Sequence, residues 1–171
     1  MKCKEIIQLL EQQFPVKYAV QGDKTGFAVG DREKEVTHIF VAVDATDENI
    51  EEAIRVGADM LLTHHPMLYA PLQTVTTDTL NGRRVIKLIE HGLCYMSTHT
   101  NYDSCRMADL AAERLALTDC QVLEEVADGL GIGKVGKLPK EMTLRECAPC
   151  RRMLPAAQAE MHPAESVTML R

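Results

Sequence analysis

Two histidines adjoin in "LLTHHP" (residues 61–66), where an apolar run ends and a proline follows. A third histidine, His99, opens "HTNYD", in which Asp103 stands four residues later. Imidazole nitrogen and carboxylate oxygen are together ligands that zinc, iron and manganese accept in proteins. The sequence therefore offers His64, His65, His99 and Asp103 as candidate ligands for divalent metal ions.

The adjacency of the two histidines favours a dinuclear centre over a single ion. Neighbouring side chains within a strand point to opposite faces. Beyond the strand end this constraint is lifted, and Pro66 restricts His65 to an extended conformation. Two adjacent imidazoles can then serve two positions of one site. The alternative is a loop pair that hydrogen-bonds to the backbone, but the second cluster at His99 and Asp103 favours metal.

Asp44 and His99 are candidates for catalytic proton transfer. Asp44 ends "VTHIFVAVD" (36–44), a run of β-branched and aromatic residues typical of a strand. An aspartate at a strand-to-helix turn is also commonly a turn or cap residue, and both interpretations stay open. His99 is either a direct metal ligand or a group that orients one. The remaining histidines are predicted to be surface or capping groups: His38, His91 and His162.

The elements around these residues alternate between strand and helix. Strands are predicted over 25–30, 36–44, 60–65, 93–99 and 121–126. Helices are predicted over 2–13 and within 45–59, 78–92 and 106–117. This alternation implies right-handed β-α-β units and an α/β fold with a mainly parallel sheet flanked by helices. Because ligands gather at the carboxyl ends of such strands, the candidate residues are expected at one edge of the sheet.

The composition changes in the last quarter of the chain. An α/β metal-binding domain is predicted over 1–127, and four glycines and a proline in "DGLGIGKVGKLPKEM" (128–142) suggest either a domain boundary or a hairpin. The segment "TLRE" then offers a helix start, which Pro149 interrupts. Residues 147–171 form an atypical tail without a sustained period.

Two further motifs are not assigned a function. "GIGKVG" (131–136) fits the dinucleotide fingerprint only formally, because "KLP" follows where a helix should open, so extended chain or a turn is predicted. "CAPC" (147–150) has no second pair of ligands at zinc-site spacing and no strand-helix context.

The bulk composition is that of a soluble globular protein. Among 171 residues, 46% are hydrophobic and 26% charged, and the net charge is −6 without a basic run, which argues against nucleic acid as a partner. Neither a signal peptide nor an apolar stretch of membrane-spanning length is recognised, so we expect a cytoplasmic protein without a membrane partner. Its six cysteines are accordingly expected to be free thiols.

The segments "VAVDAT", "GADMLLTHHPMLY" and "STHTNYD", in this order and spacing, resemble a known family over about residues 1–146. It is the dinuclear-metal-centre family of GTP cyclohydrolase 1 type 2 homologues, also called NGG-interacting-factor-like. The resemblance implies an α/β domain with an inserted second domain, whose start is placed at 128–146, and two divalent ions at the rim of a ring-shaped homohexamer. By matched motif, His64, His65 and Asp103 are the implied metal ligands, with His99 beside them.

The sequence departs from this family near its end. Family members are longer and supply a further histidine and a glutamate, the latter suited to bridging both ions. His162 and Glu165 lie in the unpatterned tail and are not assigned these roles. Our hypothesis is that residues from about 147 onward arise from a frameshift or a mispredicted gene end, which the neighbouring reading frames of the gene would test. The loss also counts against assembly of this chain into the homohexamer.

Three functions are carried forward. The first is a metal-dependent hydrolase that uses two divalent ions (zinc, iron or manganese) on an unknown small-molecule substrate, a nucleotide or a phosphoester. The second is a non-catalytic metal-binding scaffold or regulatory protein. The third is an inactive truncated copy whose metal site lacks its closing ligands.

Overall fold

The computed structural model describes residues 1–143, Arg145 and the backbone of 168–170. The helices are α1 (Cys3–Gln13), α2 (Asp47–Arg55), α3 (Leu80–Glu90), α4 (Thr100–Tyr102) and α5 (Ala108–Arg114), with a 3-10 turn at Val16–Tyr18 and a π-helical turn at Asp103–Met107. The strands are β1 (Gly26–Val29), β2 (Ile39–Ala42), β3 (Met60–Thr63), β4 (Cys94–Ser97), β5 (Thr118–Ala127), β6 (Leu130–Lys137) and β7 (Thr168–Leu170).

The central sheet has the strand order β1-β4-β3-β2-β7. Its core of β2, β3 and β4 is parallel, with Leu62 in register with Val41 on one side and Met96 on the other. The edge strands β1 and β7 are antiparallel to their neighbours, so the sheet is mixed. This confirms the predicted α/β class, with the parallel strands at the centre of the sheet and the antiparallel strands at its edges. Residues 30–38, between β1 and β2, contain no helix, whereas parallel strands need a long crossover connection.

Helices cover both faces of the sheet. Leu61 and Tyr95 lie in an apolar cluster with α2 and α3. Their chain neighbours Met60 and Met96 lie in a second cluster with α1. Because successive side chains of a strand alternate between faces, the two clusters are the two sides of one sheet. Burial of both faces accounts for the near-continuous apolar strands of the sequence.

The helix after β2 starts and stops where the sequence predicts. The Thr46 hydroxyl accepts a hydrogen bond from the Asn49 backbone N–H at 3.1 Å, which satisfies a donor of the first helical turn. Gly57, just beyond the helix, has a φ of 71°, a left-handed conformation that glycine adopts without a steric penalty. These two signals limit α2 to a short crossover between two parallel strands.

Strands β5 and β6 form an antiparallel hairpin outside the central sheet. Its turn lies at Asp128 and Gly129, so the predicted boundary between residues 127 and 128 falls at the hairpin turn, with the paired strands on either side. The division into domains remains a prediction. "GIGKVG" lies within β6 and is extended, as predicted. "CAPC" and His162 lie outside the described residues.

Among the helices of the described residues, none combines the length and apolarity needed to cross a membrane. The four cysteines in the described part of the chain are free thiols: Cys3, Cys94, Cys105 and Cys120.

Candidate metal centre

The carboxyl ends of the three parallel strands bring the candidate residues to one edge of the sheet. The parallel hydrogen-bond ladder continues beyond the strands, since the His65 N–H donates to the Val43 carbonyl at 2.9 Å. The Thr98 N–H likewise donates to the Thr63 carbonyl at 2.9 Å. The backbone leading into both clusters is therefore fixed by the sheet.

Three imidazoles converge at this edge. One potential ligand nitrogen from each of His64, His65 and His99 lies within 4.8 Å of the other two. The ring centroid of His64 is 4.9 Å from that of His65 and 5.3 Å from that of His99. The structure thus brings together the histidine pair and the distant His99, as the sheet topology predicts.

Backbone and carboxylate oxygens engage one nitrogen of each paired histidine. His64 Nδ1 lies 3.0 Å from the Thr98 carbonyl oxygen, and His65 Nδ1 lies 2.7 Å from Asp44 Oδ1. Both oxygens are acceptors, so each neutral imidazole carries its proton on Nδ1 and leaves Nε2 with a free lone pair. Metal-ligating histidines are commonly oriented in this way by an oxygen at the second nitrogen.

Asp44, predicted as a catalytic group or a turn residue, lies against His65. The side chains of Asp44 and His65 are 52% and 49% exposed, so this pair faces solvent. The contact gives Asp44 a definite partner, through which it can hold the proton and the orientation of that imidazole.

His99 is held in the same manner by Asp23, a residue that the sequence analysis does not identify. His99 Nδ1 lies 2.8 Å from Asp23 Oδ1. Burial by itself raises the pKa of Asp23, but hydrogen bonds from Thr100 and His99 outweigh this effect and bring the pKa below its ordinary value. The carboxylate is therefore ionised and can only accept hydrogen bonds.

Asp103 supplies an oxygen without a hydrogen-bond partner. Its Oδ1 atom is buried and, within the part of the chain that the structure describes, accepts no hydrogen bond. It lies 3.6 Å from His64 Nε2, too far for a hydrogen bond. Burial raises the pKa of Asp103, and the neighbouring imidazoles His64 and His99 offset only part of this rise.

These features fit a bound cation. Two ligands of one ion, each about 2.0–2.2 Å from it, are separated by roughly 3–3.5 Å, close to the distance between His64 Nε2 and Asp103 Oδ1. A cation would also give the buried Asp103 oxygen the partner that it lacks. The mixture of imidazole and carboxylate suits zinc, iron or manganese.

A π-helical turn positions Asp103. Helical residues follow His99 without a break, and Asp103 is the first residue of the π turn between α4 and α5. Such turns insert an extra residue into the helical spiral and frequently occur at functional sites. The sequence predicts a helix after this motif but contains no signal for the π geometry.

Tyr95 fixes the loop that carries His65. Its buried hydroxyl accepts a hydrogen bond from the Met67 N–H at 2.7 Å and lies 3.2 Å from the His65 carbonyl oxygen. The Thr63 hydroxyl donates to the same carbonyl at 2.7 Å. Two side chains that point into the sheet core thus hold the backbone of the histidine pair.

The other described histidines lie elsewhere, as predicted. His38 is exposed and its Nδ1 lies 2.9 Å from the Thr37 hydroxyl. The Nδ1 of His91, at the carboxyl end of α3, lies 2.9 Å from the Lys87 carbonyl oxygen. Neither belongs to the cluster of three imidazoles.

The sequence model of the family described as Duf34/NIF3 (NGG1p interacting factor 3) matches residues 1–159. The match extends beyond residue 146, the end of the region in which the sequence motifs resemble the family. A GTP cyclohydrolase 1 type 2 homolog of Clostridium perfringens is 42% identical over 150 residues, which are 85% of this chain and 57% of the relative. Another, from Halalkalibacterium halodurans, is 41% identical over 120 residues, 69% of this chain and 32% of the relative. The chain spans little more than half the length of the first relative and about a third of the second.

Solved structures agree with this match. Reduced HcgD from Methanocaldococcus jannaschii is 32% identical with a TM-score of 0.78, over 89% of this chain and 59% of that one. A Bacillus cereus protein related to NIF3 is 36% identical with a TM-score of 0.67, over 72% of this chain and 35% of that one. Staphylococcus aureus protein SA1388, at 21% identity and a TM-score of 0.79 over 90% of this chain and 65% of that one, shares the fold. With a family match over most of its length, this chain belongs to the Duf34/NIF3 family.

Proposed function

We propose that this protein binds two divalent metal ions at the edge of its central sheet. The observation that carries the proposal is the convergence of three imidazoles, each with an oxygen at Nδ1, beside a buried Asp103 oxygen that has no hydrogen-bond partner among the described residues. His64 and Asp103 are assigned to one ion because their ligand atoms lie 3.6 Å apart. His65 is assigned to the second ion, with His99 beside both.

We further propose that the complete protein is a metal-dependent hydrolase. Divalent ions held at this site would supply a nucleophile at neutral pH and polarise the oxygen that takes up charge. Asp44 holds the Nδ1 proton of His65 on the exposed side of the site, where a substrate would arrive. His99, whose side chain is 22% exposed, joins the cluster from the carboxyl end of β4.

The proposed substrate is a small molecule, either a nucleotide or a phosphoester. The name of the curated relatives, GTP cyclohydrolase 1 type 2 homolog, is the reason for including nucleotides. The net charge of −6 argues against a nucleic-acid polymer as the partner.

A metal-binding scaffold without turnover is the second candidate. The carboxylates of Asp23 and Asp44 are engaged by histidine nitrogens. Asp103 then supplies the carboxylate oxygen that is buried without a hydrogen-bond partner among the described residues. With Asp103 as the one such carboxylate, a role in which the ions only hold the strand ends in place is favoured. The same single carboxylate is also compatible with an inactive copy.

Metal titration with activity measurement separates these candidates. Metal-free wild type, Asp103→Asn and the control His91→Gln are titrated with Zn²⁺ and Mn²⁺ by calorimetry. They are then tested on a panel of nucleotides and phosphoesters. We expect Asp103→Asn to lose metal affinity and turnover while His91→Gln keeps both. Metal binding with no turnover on the whole panel would favour the scaffold, and no metal binding by wild type would refute the site.

We also propose a cytoplasmic location, supported by the free thiols of the described cysteines. The complete family chain is proposed to form a homohexamer. Sedimentation of this chain with and without metal tests whether the portion present here assembles.

A further inference from the structure

We propose that Asp23 is a positioning residue of the metal centre. Its carboxylate holds His99 in the form protonated on Nδ1 and so directs the unprotonated Nε2 toward the other two imidazoles. This inference rests on the proposed function of the site, because it assigns to the Asp23–His99 contact a consequence for metal binding.

The surroundings of Asp23 specify a carboxylate. Its side chain is only 4% exposed. Oδ1 accepts hydrogen bonds from the Lys24 N–H at 2.7 Å and from His99 Nδ1 at 2.8 Å. Oδ2 accepts from the Thr100 N–H at 3.1 Å and from the Thr100 hydroxyl. Four donors thus converge on one buried acceptor, and His99 is the one donor among them whose proton can occupy either of two ring atoms.

A second buried side chain holds the same loop to the site. Asn101 is 2% exposed, and its Oδ1 accepts a hydrogen bond from the His99 N–H at 2.9 Å. The Thr25 hydroxyl lies 2.9 Å from the same oxygen, and Asn101 Nδ2 donates to the Phe14 carbonyl at 2.7 Å. The loop that carries Asp23 is therefore fixed against the strand end that carries His99, which keeps the carboxylate in place.

The substitution Asp23→Asn reverses the polarity of this contact. With the amide oxygen at the Oδ2 position, the two donors of Thr100 keep their acceptor and the Lys24 N–H loses its own. The amide NH₂ then faces His99 Nδ1 and donates to it, so the imidazole proton moves to Nε2. An Nε2 atom that carries a proton cannot serve as a metal ligand.

The first test reads the protonated nitrogen directly in metal-free protein. Long-range ¹H–¹⁵N spectra of histidine-labelled wild type, at a pH well above the usual histidine pKa, are expected to show His99 protonated on Nδ1. Asp23→Asn is expected to show it protonated on Nε2. The control Asp119→Asn alters an exposed aspartate paired with Lys137 and should leave the His99 signals unchanged.

The second test is Zn²⁺ affinity by calorimetry on the same three proteins. We expect a loss of about 10- to 100-fold in Asp23→Asn and none in Asp119→Asn. Wild-type His99 protonated on Nε2 would overturn the inference even if the variant failed to fold. So would Asp23→Asn with unchanged His99 signals and unchanged affinity. A switch of the His99 proton in a protein that binds no Zn²⁺ would support the positioning role and refute the proposed metal function.

Discussion

Tyr95 is a single core residue that supports the backbone of the candidate metal centre. Its hydroxyl is buried and pairs with the Met67 N–H and with the Thr63 hydroxyl at 3.0 Å. Both groups belong to the segment that carries His64 and His65. The tyrosine is therefore part of the sheet core and part of the support of the histidine pair.

We predict that Tyr95→Phe lowers the free energy of unfolding by about 1–3 kcal/mol, because the part-buried Met67 N–H loses its acceptor. Urea unfolding measures the change. Tyr69→Phe, at a side chain that is 64% exposed, is the matched control and should be neutral. Equal unfolding midpoints for the two variants would contradict the role given to Tyr95.

Asp44 gives a second prediction at the residue scale. Asp44→Asn is expected to weaken Zn²⁺ binding by roughly 10-fold, because the amide no longer fixes the proton of His65 on Nδ1. Calorimetry of the metal-free protein measures the loss, with the exposed Asp78→Asn as control. An Asp44→Asn protein with wild-type affinity would leave Asp44 as a turn residue only.

The sequence identifies the ligand candidates but not the residues that hold them. His64, His65, His99 and Asp103 are found because metal ligands have characteristic types and spacings. Asp23 has no such signal, since it is one aspartate in a polar loop and its partner His99 lies 76 residues away. The contact exists only because β1 pairs with β4, a pairing that neither segment specifies locally.

At the scale of elements, the alternating strands and helices are predicted correctly because their periodicity and caps are local properties. The antiparallel edges depend on which strands meet, and the π turn depends on how the helix after β4 packs. Asp103 is the first residue of that turn, so its placement against His64 is a tertiary effect.

The start of α3 provides a prediction for an element. Helix propensity alone would make Gly82→Ala stabilising by about 1 kcal/mol. A Cβ at this position would lie 2.1 Å from the Thr76 carbonyl oxygen. We therefore expect Gly82→Ala to destabilise the protein by about 1–3 kcal/mol, because backbone must move to admit the methyl group. Thermal unfolding shows whether the substitution stabilises or destabilises the protein. A raised unfolding midpoint would show that the loop before α3 moves without cost to admit the methyl group.

At the scale of the whole molecule, the end of the sheet opposite the site is held by Asp59. Burial alone would raise its pKa, but hydrogen bonds from Thr37 and the His38 N–H, together with Lys34, lower the pKa from 3.8 to about 2. A pKa that is lower in the folded protein stabilises it above the unfolded value. That contribution is lost as the pH falls through about 2.

We predict that Asp59→Asn lowers the free energy of unfolding by about 2 kcal/mol at neutral pH. Because the wild-type carboxylate becomes protonated in acid, the difference between the two proteins should shrink as the pH falls from about 4 to about 2. Urea unfolding of both proteins across this range measures it. A difference that stays constant with pH would show that the ionised carboxylate is not the stabilising group.

The parallel core of the sheet forms the edge that carries the candidate metal centre, since three strand ends from distant segments bring Asp44, His64, His65 and His99 to one place. The most direct test of this arrangement is anomalous diffraction from crystals of the protein grown with Zn²⁺. We predict peaks about 2.0–2.2 Å from Nε2 of His64 and His65 and from an Asp103 carboxylate oxygen. Zinc peaks only at other residues, or none at this edge of the sheet, would contradict the account.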